Sequence, residues 1–360
     1  MPKPINILIL FALLSLFSVC APEHSEVAVP QEIKIEKNQK TLITHTNSLV
    51  LSTFKKETRN NQSNVLISPI GINTSTAFIL FANQEEKKSI SPQIPKNELI
   101  EEFFNFNELI FNLDKNFNID NKTVLKFNQK PDFSRKFKDF LQEYKYYHTQ
   151  FSDDKTIQTN RRILNIENNL LAKFSFPSQI DACESPFYLT PGEIKFVQML
   201  KCENSFNYYS NEYLKAIEIP IGQGNFNALF ILPESGFSYE HLIKVINPYI
   251  LNTIENNYRK LPLSVYIPEL NIDYFRKGSI KNRYTNFKDA EKLSFQNIEK
   301  SGNIHLNNIY FNTKLKTISK INYRKSSTNK NNLFIDRPFI LIIKEQYTDA
   351  IVFIGQIVNP

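Results

Sequence analysis

The chain has 360 residues, 41% of them hydrophobic and 13% aromatic, a composition that excludes a disordered protein and supplies a large core. Its 43 Lys and Arg against 36 Asp and Glu leave a net charge of +7. No basic helix or ladder of aromatics and Arg goes with that charge, so nucleic acid is not expected as a partner. Asn and Lys are abundant, Trp is absent and only 8 residues are Gly, the bias of an A/T-rich coding sequence.

The N-terminus, "MPKPINILILFALLSLFSVCAPEHSEVAVP", places Lys3 ahead of an apolar run from Ile5 to Phe17. Ser18 and Cys20 stand where a signal peptidase selects small residues. This predicts a signal peptide over residues 1–20 and a secreted, extracellular protein with no membrane association after cleavage. The alternative is an uncleaved anchor, but the run is shorter than the ~18–20 residues a span wants. A polar lead-in follows over residues 21–44, ahead of one domain over 45–360.

Two helices are expected between Asn47 and Asn83, the second opening on Ser68 as cap and Pro69 in the first helical position, where no amide hydrogen is needed. Residues 84–122 are charged and Asn-rich, with short helical pieces. In "PDFSRKFKDFLQEYKYY" the residues Phe133, Phe137, Phe140, Leu141 and Tyr144 share one helical face, read as core packing. The sequons at Asn61 and Asn121 are candidate glycosylation sites. A third, at Asn73, lies in an apolar stretch.

From Cys183 onward the chain reads as strands. "SPFYLTPGEIKFVQML" has two extended halves about the turn "TPGE", and Cys183 and Cys202 flank it almost symmetrically. In an oxidising compartment the expectation is a disulfide between them, worth about 3 kcal/mol. Two free buried thiols are the alternative. "YLKAIEIPIGQGNFNALFILPESG" predicts two strands joined at Gly222–Gly224. "LPLSVYIPELNID" alternates Leu261, Leu263, Val265 and Ile267 in the period of two. A strand ending in "LKTI", a polar stretch from Ser319 to Leu333, and two apolar strands close the chain. Helices early and strands late, without regular alternation, predict an α+β single domain.

No nucleophile elbow, His-Glu-x-x-His, phosphate-binding loop or metal-ligand spacing is present. His24, His45, His148, His241 and His305 are scattered singly. Neither an enzyme nor a cofactor or metal site is expected.

Taken in order, the later segments resemble a serpin, the family of serine protease inhibitors. "FIDRPFILIIKEQYTDAIVFIGQIVNP" is similar to the family's C-terminal signature through Phe334, Asp336, Arg337, Pro338 and Phe339, then Gly355, Val358, Asn359 and Pro360. "NVLISPIGINTSTAFILFAN", the "SPFYL" hairpin, the paired strands from Tyr213 and the strand ending in Ile267–Pro268 resemble other family segments. The resemblance covers about residues 45–360. It implies three β-sheets surrounded by about eight helices in a single domain, a monomer, and a reactive-centre loop in the polar stretch, with Ser319, Lys320, Arg324, Lys325 and Ser326 as its candidate residues. In inhibitory members a protease cuts that loop, which then inserts as a new strand into the main sheet and drags the acyl-enzyme with it.

Two departures bear on that mechanism. The stretch from "LKTI" to "FIDRPF" is markedly shorter than the family pattern. In addition, the hinge, small and Ala-rich in the family, here reads Lys320, Ile321, Asn322, Tyr323, Arg324 and Lys325. Either alternate set would bury a large or charged side chain without a partner, at several kcal/mol. The region before Ser185 is also shortened, and no basic helix suggests heparin binding. Three readings follow: a serpin-fold protein that no longer inhibits, an inhibitor of a trypsin-like serine protease with Arg324 or Lys325 as bait residue, and a chance resemblance on another secreted fold.

Overall fold

The computed structural model describes residues 30, 32–59, 61–69, 96–113, 118–127, 139, 142, 147–149, 164–173, 179–278, 298–306 and 332–360. A compact unit runs from Gln31 to Pro360. The predicted signal peptide, the apolar face at Phe133–Tyr144 and the polar stretch up to 331 lie outside the described residues.

Helix α1 spans Lys37–Thr58, starting ten residues before the apolar pattern suggests. A reciprocal box sets that start: the Glu36 carboxylate accepts from the Gln39 amide, and Glu36 N–H donates to Gln39 Oε1 at 3.0 Å. Leu42, Ile43, Val50, Leu51 and Phe54 form its buried face. Strand β1 (Val65–Ile67) follows, and Pro69 takes helical geometry directly after Ser68. Helix α2 occupies Lys96–Asn112. Next come β2 (Asn118–Phe127), β3 (Tyr147–Thr149) and β4 (Leu164–Lys173), a strand region that the charged, Asn-rich sequence did not announce.

In the second half the described strands follow the hairpins that the sequence predicts. β5 (Gln179–Thr190) and β6 (Glu193–Ser210) form a hairpin about Pro191–Gly192. β7 (Leu214–Ile221) and β8 (Phe226–Pro233) turn at Gly222 (φ 62°) and Gly224 (φ 89°), a left-handed backbone that glycine adopts without strain. Two short helices follow, α3 (Tyr239–Val245), capped by the Ser238 hydroxyl, and α4 (Pro248–Asn256), capped by Asn247 with Pro248 at its first position. The chain closes with β9 (Arg259–Pro268), β10 (Leu270–Gly278), β11 (Ile298–Leu306), β12 (Asn332–Phe334), β13 (Phe339–Glu345) and β14 (Ile351–Ile357).

The described strands join into two sheets. A nine-stranded sheet has the order β1-β14-β13-β8-β7-β6-β9-β12, with β5 also on β6. A five-stranded sheet has the order β10-β11-β4-β2-β3. Where three sheets are expected, two are merged, because the 18-residue β6 pairs along its length with β5 and β9 and at its end with β7. Between β9 and β10 the chain changes sheets at Glu269, whose N–H donates to the Gln198 carbonyl at 2.8 Å. Burial pushes the Glu269 carboxyl above its ordinary range.

The middle of the nine-stranded sheet is covered on both faces. On β13, Phe339, Leu341 and Ile343 face one cluster with Phe226, Phe230 and Phe353, while Ile340 and Ile342 face another with Val50, Phe54, Leu242 and Ile254. Helices α1, α3 and α4 cover the second face. Burial on both faces explains why "FILII" and "IVFI" are continuous apolar runs rather than alternating ones.

One charged cluster enters this core. Lys344, at the end of β13, is 7% exposed and lies 3.2 Å from Glu218 on β7, 2.6 Å from Glu255 on α4 and 3.0 Å from Asp349. Glu218 also accepts from the Asn207 amide at 3.1 Å. Burial alone would pull the Lys344 ammonium down, but the three carboxylates outweigh it and its pKa is raised. Removing the ammonium in Lys344→Ala strands Glu218 and is expected to cost about 3–5 kcal/mol in urea unfolding at neutral pH. Because the folded pKa lies above the unfolded one, the lysine's contribution is full at neutral pH and lost as pH rises past the ordinary lysine range. The difference between parent and variant should therefore shrink only in strong alkali.

Candidate functional site

All five residues expected in a reactive-centre loop, Ser319, Lys320, Arg324, Lys325 and Ser326, lie outside the described residues, as does the expected strand end "LKTI". The last described strand before them is β11, ending at Leu306. The described strands that flank this stretch in the chain are β11 and β12.

On the N-terminal side, β11 belongs to the five-stranded sheet. β11 pairs antiparallel with β10 on one side and parallel with β4 on the other, from Ile298↔Ile166 to His305↔Lys173. A chain that leaves β11 and reverses runs antiparallel to both β11 and β4. Inserted between them, such a strand would replace one parallel ladder with two antiparallel ones, which are slightly more stable per residue. The seam β4–β11 is therefore the place in this sheet where an extra strand gains most.

On the C-terminal side the chain is closely packed. Strand β12 lies parallel to β9 at the edge of the nine-stranded sheet, with Leu333 opposite Val265. Leu333 and Ile335 point into the core, and Phe334 stacks on Tyr266 with ring centres 4.3 Å apart and planes 8° from parallel. Ile335 N–H donates to the Tyr266 carbonyl at 2.8 Å, and the Asp336 carbonyl accepts from Tyr188 N–H at 2.7 Å. The Arg337 guanidinium donates to the Asp336 carboxylate at 2.9 Å. Phe339 is fully buried against Phe230.

The rest of the C-terminal signature has equally local reasons. A Cβ on Gly355 would meet Leu66 Cδ1 at 3.2 Å and the Val65 carbonyl at 3.3 Å, so glycine lets β14 lie close against β1. The Asn64 carboxamide holds the segment after β14. Its Oδ1 accepts from Val358 N–H at 2.8 Å and Asn359 N–H at 3.0 Å, and its Nδ2 donates to the Asn359 carbonyl at 2.6 Å. The Lys195 ammonium donates to Asn359 Oδ1 at 2.7 Å. Buried Gln356 donates to the Asn61 and Ser63 carbonyls, both at 2.8 Å. Asn64, Lys195 and Gln356 went unnoticed in the sequence. They are scattered polar residues whose partners are up to 295 positions away, and no periodicity marks them.

The expected disulfide is not formed: Cys183 and Cys202 are free thiols. In the β5–β6 register Cys183 faces Met199 and Cys202 faces Gln179. Cys202 thus lies three places beyond the partner of Cys183, too far along the ladder for the two sulfurs to be bridged. The symmetry about "TPGE" is off by those few positions. Burial pushes the Cys202 thiol up to about 12, leaving it unreactive at neutral pH. Of the sequons, Asn61 is half-buried in a turn where its Oδ1 accepts from Ser63 N–H at 3.0 Å. Asn121 sits within β2 opposite Leu170. The histidines stay apart, His45 on α1, His148 in β3, His241 on α3 and His305 in β11. Among the described residues no three His, Cys, Asp or Glu side chains are placed to hold a metal, and no helix is long and apolar enough to cross a membrane.

Residues 172–360 match the family model described as "Serpin (serine protease inhibitor)", just over half of the chain. The chain belongs to the serpin family. Over 197 residues it is 27% identical to ovalbumin-related protein X of Gallus gallus, covering 50% of this chain and 84% of that protein. It is 24% identical to Serpin H1 of Gallus gallus over 186 residues, 48% of this chain and 46% of that protein. The chain thus spans about half the length of Serpin H1. The structure of human thyroxine-binding globulin superposes with a TM-score of 0.71 over 90% of this chain and 99% of that one, at 16% identity. Uncleaved ovalbumin gives 0.70 over 88% and 98%, also at 16%. These likenesses establish the serpin fold, so the chance-resemblance reading is set aside and the α+β single-domain expectation holds.

Two outcomes follow. Asn64→Ala deletes three hydrogen bonds and should lower unfolding stability by about 1–3 kcal/mol, read from the denaturant midpoint at unchanged slope. Peptide mapping of the unreduced protein should recover Cys183 and Cys202 in unlinked peptides, with Cys202 alkylated only after unfolding.

Proposed function

We propose that this serpin is a secreted, monomeric protein that acts by binding and not as a loop-inserting protease trap. A single observation carries the reading. The segment that would enter the seam between β4 and β11 begins Lys320, Ile321, Asn322, Tyr323, Arg324, Lys325. An inserted strand sends alternate side chains to the packed face, and each alternate set here contains a lysine, an arginine or a large side chain. Burying one such charge unpaired costs more than a few new ladder hydrogen bonds, at about 0.5–1.5 kcal/mol each, return. Serine protease inhibition is the activity by which the family is described. The protein itself is not a catalyst in this reading. Asn61, half-buried in a turn, and Asn121 are the proposed glycosylation sites.

A second reading is supported by the same stretch. Arg324 and Lys325 precede Ser326, a sequence suited to a trypsin-like protease with an acidic specificity pocket, and the parallel seam β4–β11 is an acceptor for a returning strand. In that reading the protein is an inhibitor with Arg324 or Lys325 as bait.

Incubation with trypsin separates the two. Under the first reading a denaturing gel shows cleavage near Arg324 and no covalent complex, and the cut protein unfolds at the same temperature as the intact one. A stable band at the summed mass, abolished in Arg324→Ala with Lys325→Ala, together with a large gain in heat stability after cutting, would overturn it in favour of the second.

A further inference from the structure

The structure also holds a cleft that neither reading of the loop employs. It measures about 1630 Å³ and opens between the last turn of α1, the tip of the β5–β6 hairpin, the start of α3 and the segment after β12. That is larger than the roughly 300–1,000 Å³ of a small-molecule pocket. Its charged lining among the described residues is unbalanced: Lys55, Lys56, Arg59, Lys244 and Arg337 stand against Glu193 and Glu240. Lys55 donates to the Lys244 carbonyl at 2.8 Å and Arg337 is held by Asp336. Lys56, Arg59 and Lys244 are exposed and have no ion pair among the described residues.

Lys56 and Lys244 sit in the last turns of α1 and α3, where a cation is favourable against the helix dipole with or without a ligand. Charge alone therefore decides nothing. The same lining also carries exposed aromatic rings. Tyr188 and Phe237 line the same cleft and are 42% and 37% exposed. Tyr188 pairs directly with Ile194, and Phe196, two residues further on the same face, is 65% exposed. An apolar strip thus runs from the hairpin into a cationic trough.

We propose that this cleft docks an extended acidic segment of a partner polypeptide, with its carboxylates on Lys56, Arg59 and Lys244 and its apolar side chains against Tyr188 and Phe237. A sulfated polysaccharide would use the cations but leave the aromatic rings wet. A flat lipid surface would not enter a concave trough, and a small anion would leave most of the volume empty. A peptide carrying both charge and apolar side chains matches both parts of the lining at once.

The test uses the full-length protein, made in a host that adds no N-glycan at Asn61, and a fluorescein-labelled peptide of alternating Glu and Phe, about nine residues and ~30 Å when extended. Fluorescence anisotropy should show saturable binding that weakens with added salt, and none for the same peptide with Lys in place of Glu. Lys56→Glu with Arg59→Glu should weaken binding about tenfold or more, and Tyr188→Ser with Phe237→Ser comparably. Lys244→Glu alone and Tyr188→Ser alone repeat the two arms should either double variant unfold at a lower temperature than the parent. If only the charge reversals matter, the cleft is a polyanion patch and the proposal fails. It fails equally if neither set matters, or if phosphatidylserine vesicles bind where the peptide does not.

Discussion

Most of this molecule depends on a sheet whose middle no water reaches. β8 and β13, both buried along their whole length, lie in the path of the nine-stranded sheet with β7 and β14 as their outer neighbours. A backbone amide in that position has only its neighbouring strand to bond, so the ladders must be complete and in register. Side chains that alternate between two covered faces must be apolar on both. The exceptions show the strength of the rule. Lys344 enters only with three carboxylates around it, and Glu345, fully buried, accepts from the Tyr347 and Thr348 amides and the Thr348 hydroxyl. The turn between β13 and β14 is fastened from outside by Asn47 of α1, which donates to the Asp349 carbonyl and accepts from Ile351 N–H.

That rule also decides what a reader could see in the sequence. Runs such as "FILII", "IVFI" and "ALFIL" are legible because covering both faces leaves the middle of a strand little room for polar side chains. Gly222 and Gly224 mark their turn because a left-handed backbone favours glycine. The family likeness rests on the same features, since Phe339, Gly355 and Asp336 are each tied to one packing or hydrogen-bonding need. Local reasons of this kind leave local traces.

The other features have no local cause. The early start of α1 depends on a Glu36–Gln39 pair that looks like any other polar couple in an Asn- and Lys-rich chain. β2 and β4 exist because they pair with each other, and β4 also with β11, and a strand that is polar in sequence announces nothing until its partner is known. The error over Cys183 and Cys202 has the same root. Counting residues about a turn gives a centre of symmetry but not the bulges, and the ladder shifts register between Tyr188 and Thr190 and again between Gln179 and Ala182. A few misplaced positions along a ladder carry two sulfurs too far apart to be bridged. The cationic cleft is a further case, assembled from α1, a hairpin tip, α3 and the stretch after β12, so that no window of sequence contains it.

The pairing of β1 with β14 has a consequence for how the chain reaches this state. Val65 meets Gln356, and Asn64 grips Val358 and Asn359, so the first strand of the sheet waits on residues made almost three hundred positions later. β4 likewise finds β11 only after some 130 residues have intervened. On a ribosome, β1 and the apolar face of α1 therefore emerge long before anything can cover them. Such long-range closure is slow, and it leaves open strand edges while it lasts. The finished molecule hides its most apolar strands completely, yet during synthesis those same strands are its greatest liability to aggregation, and the final turn of chain, through Asn359, ends that exposure.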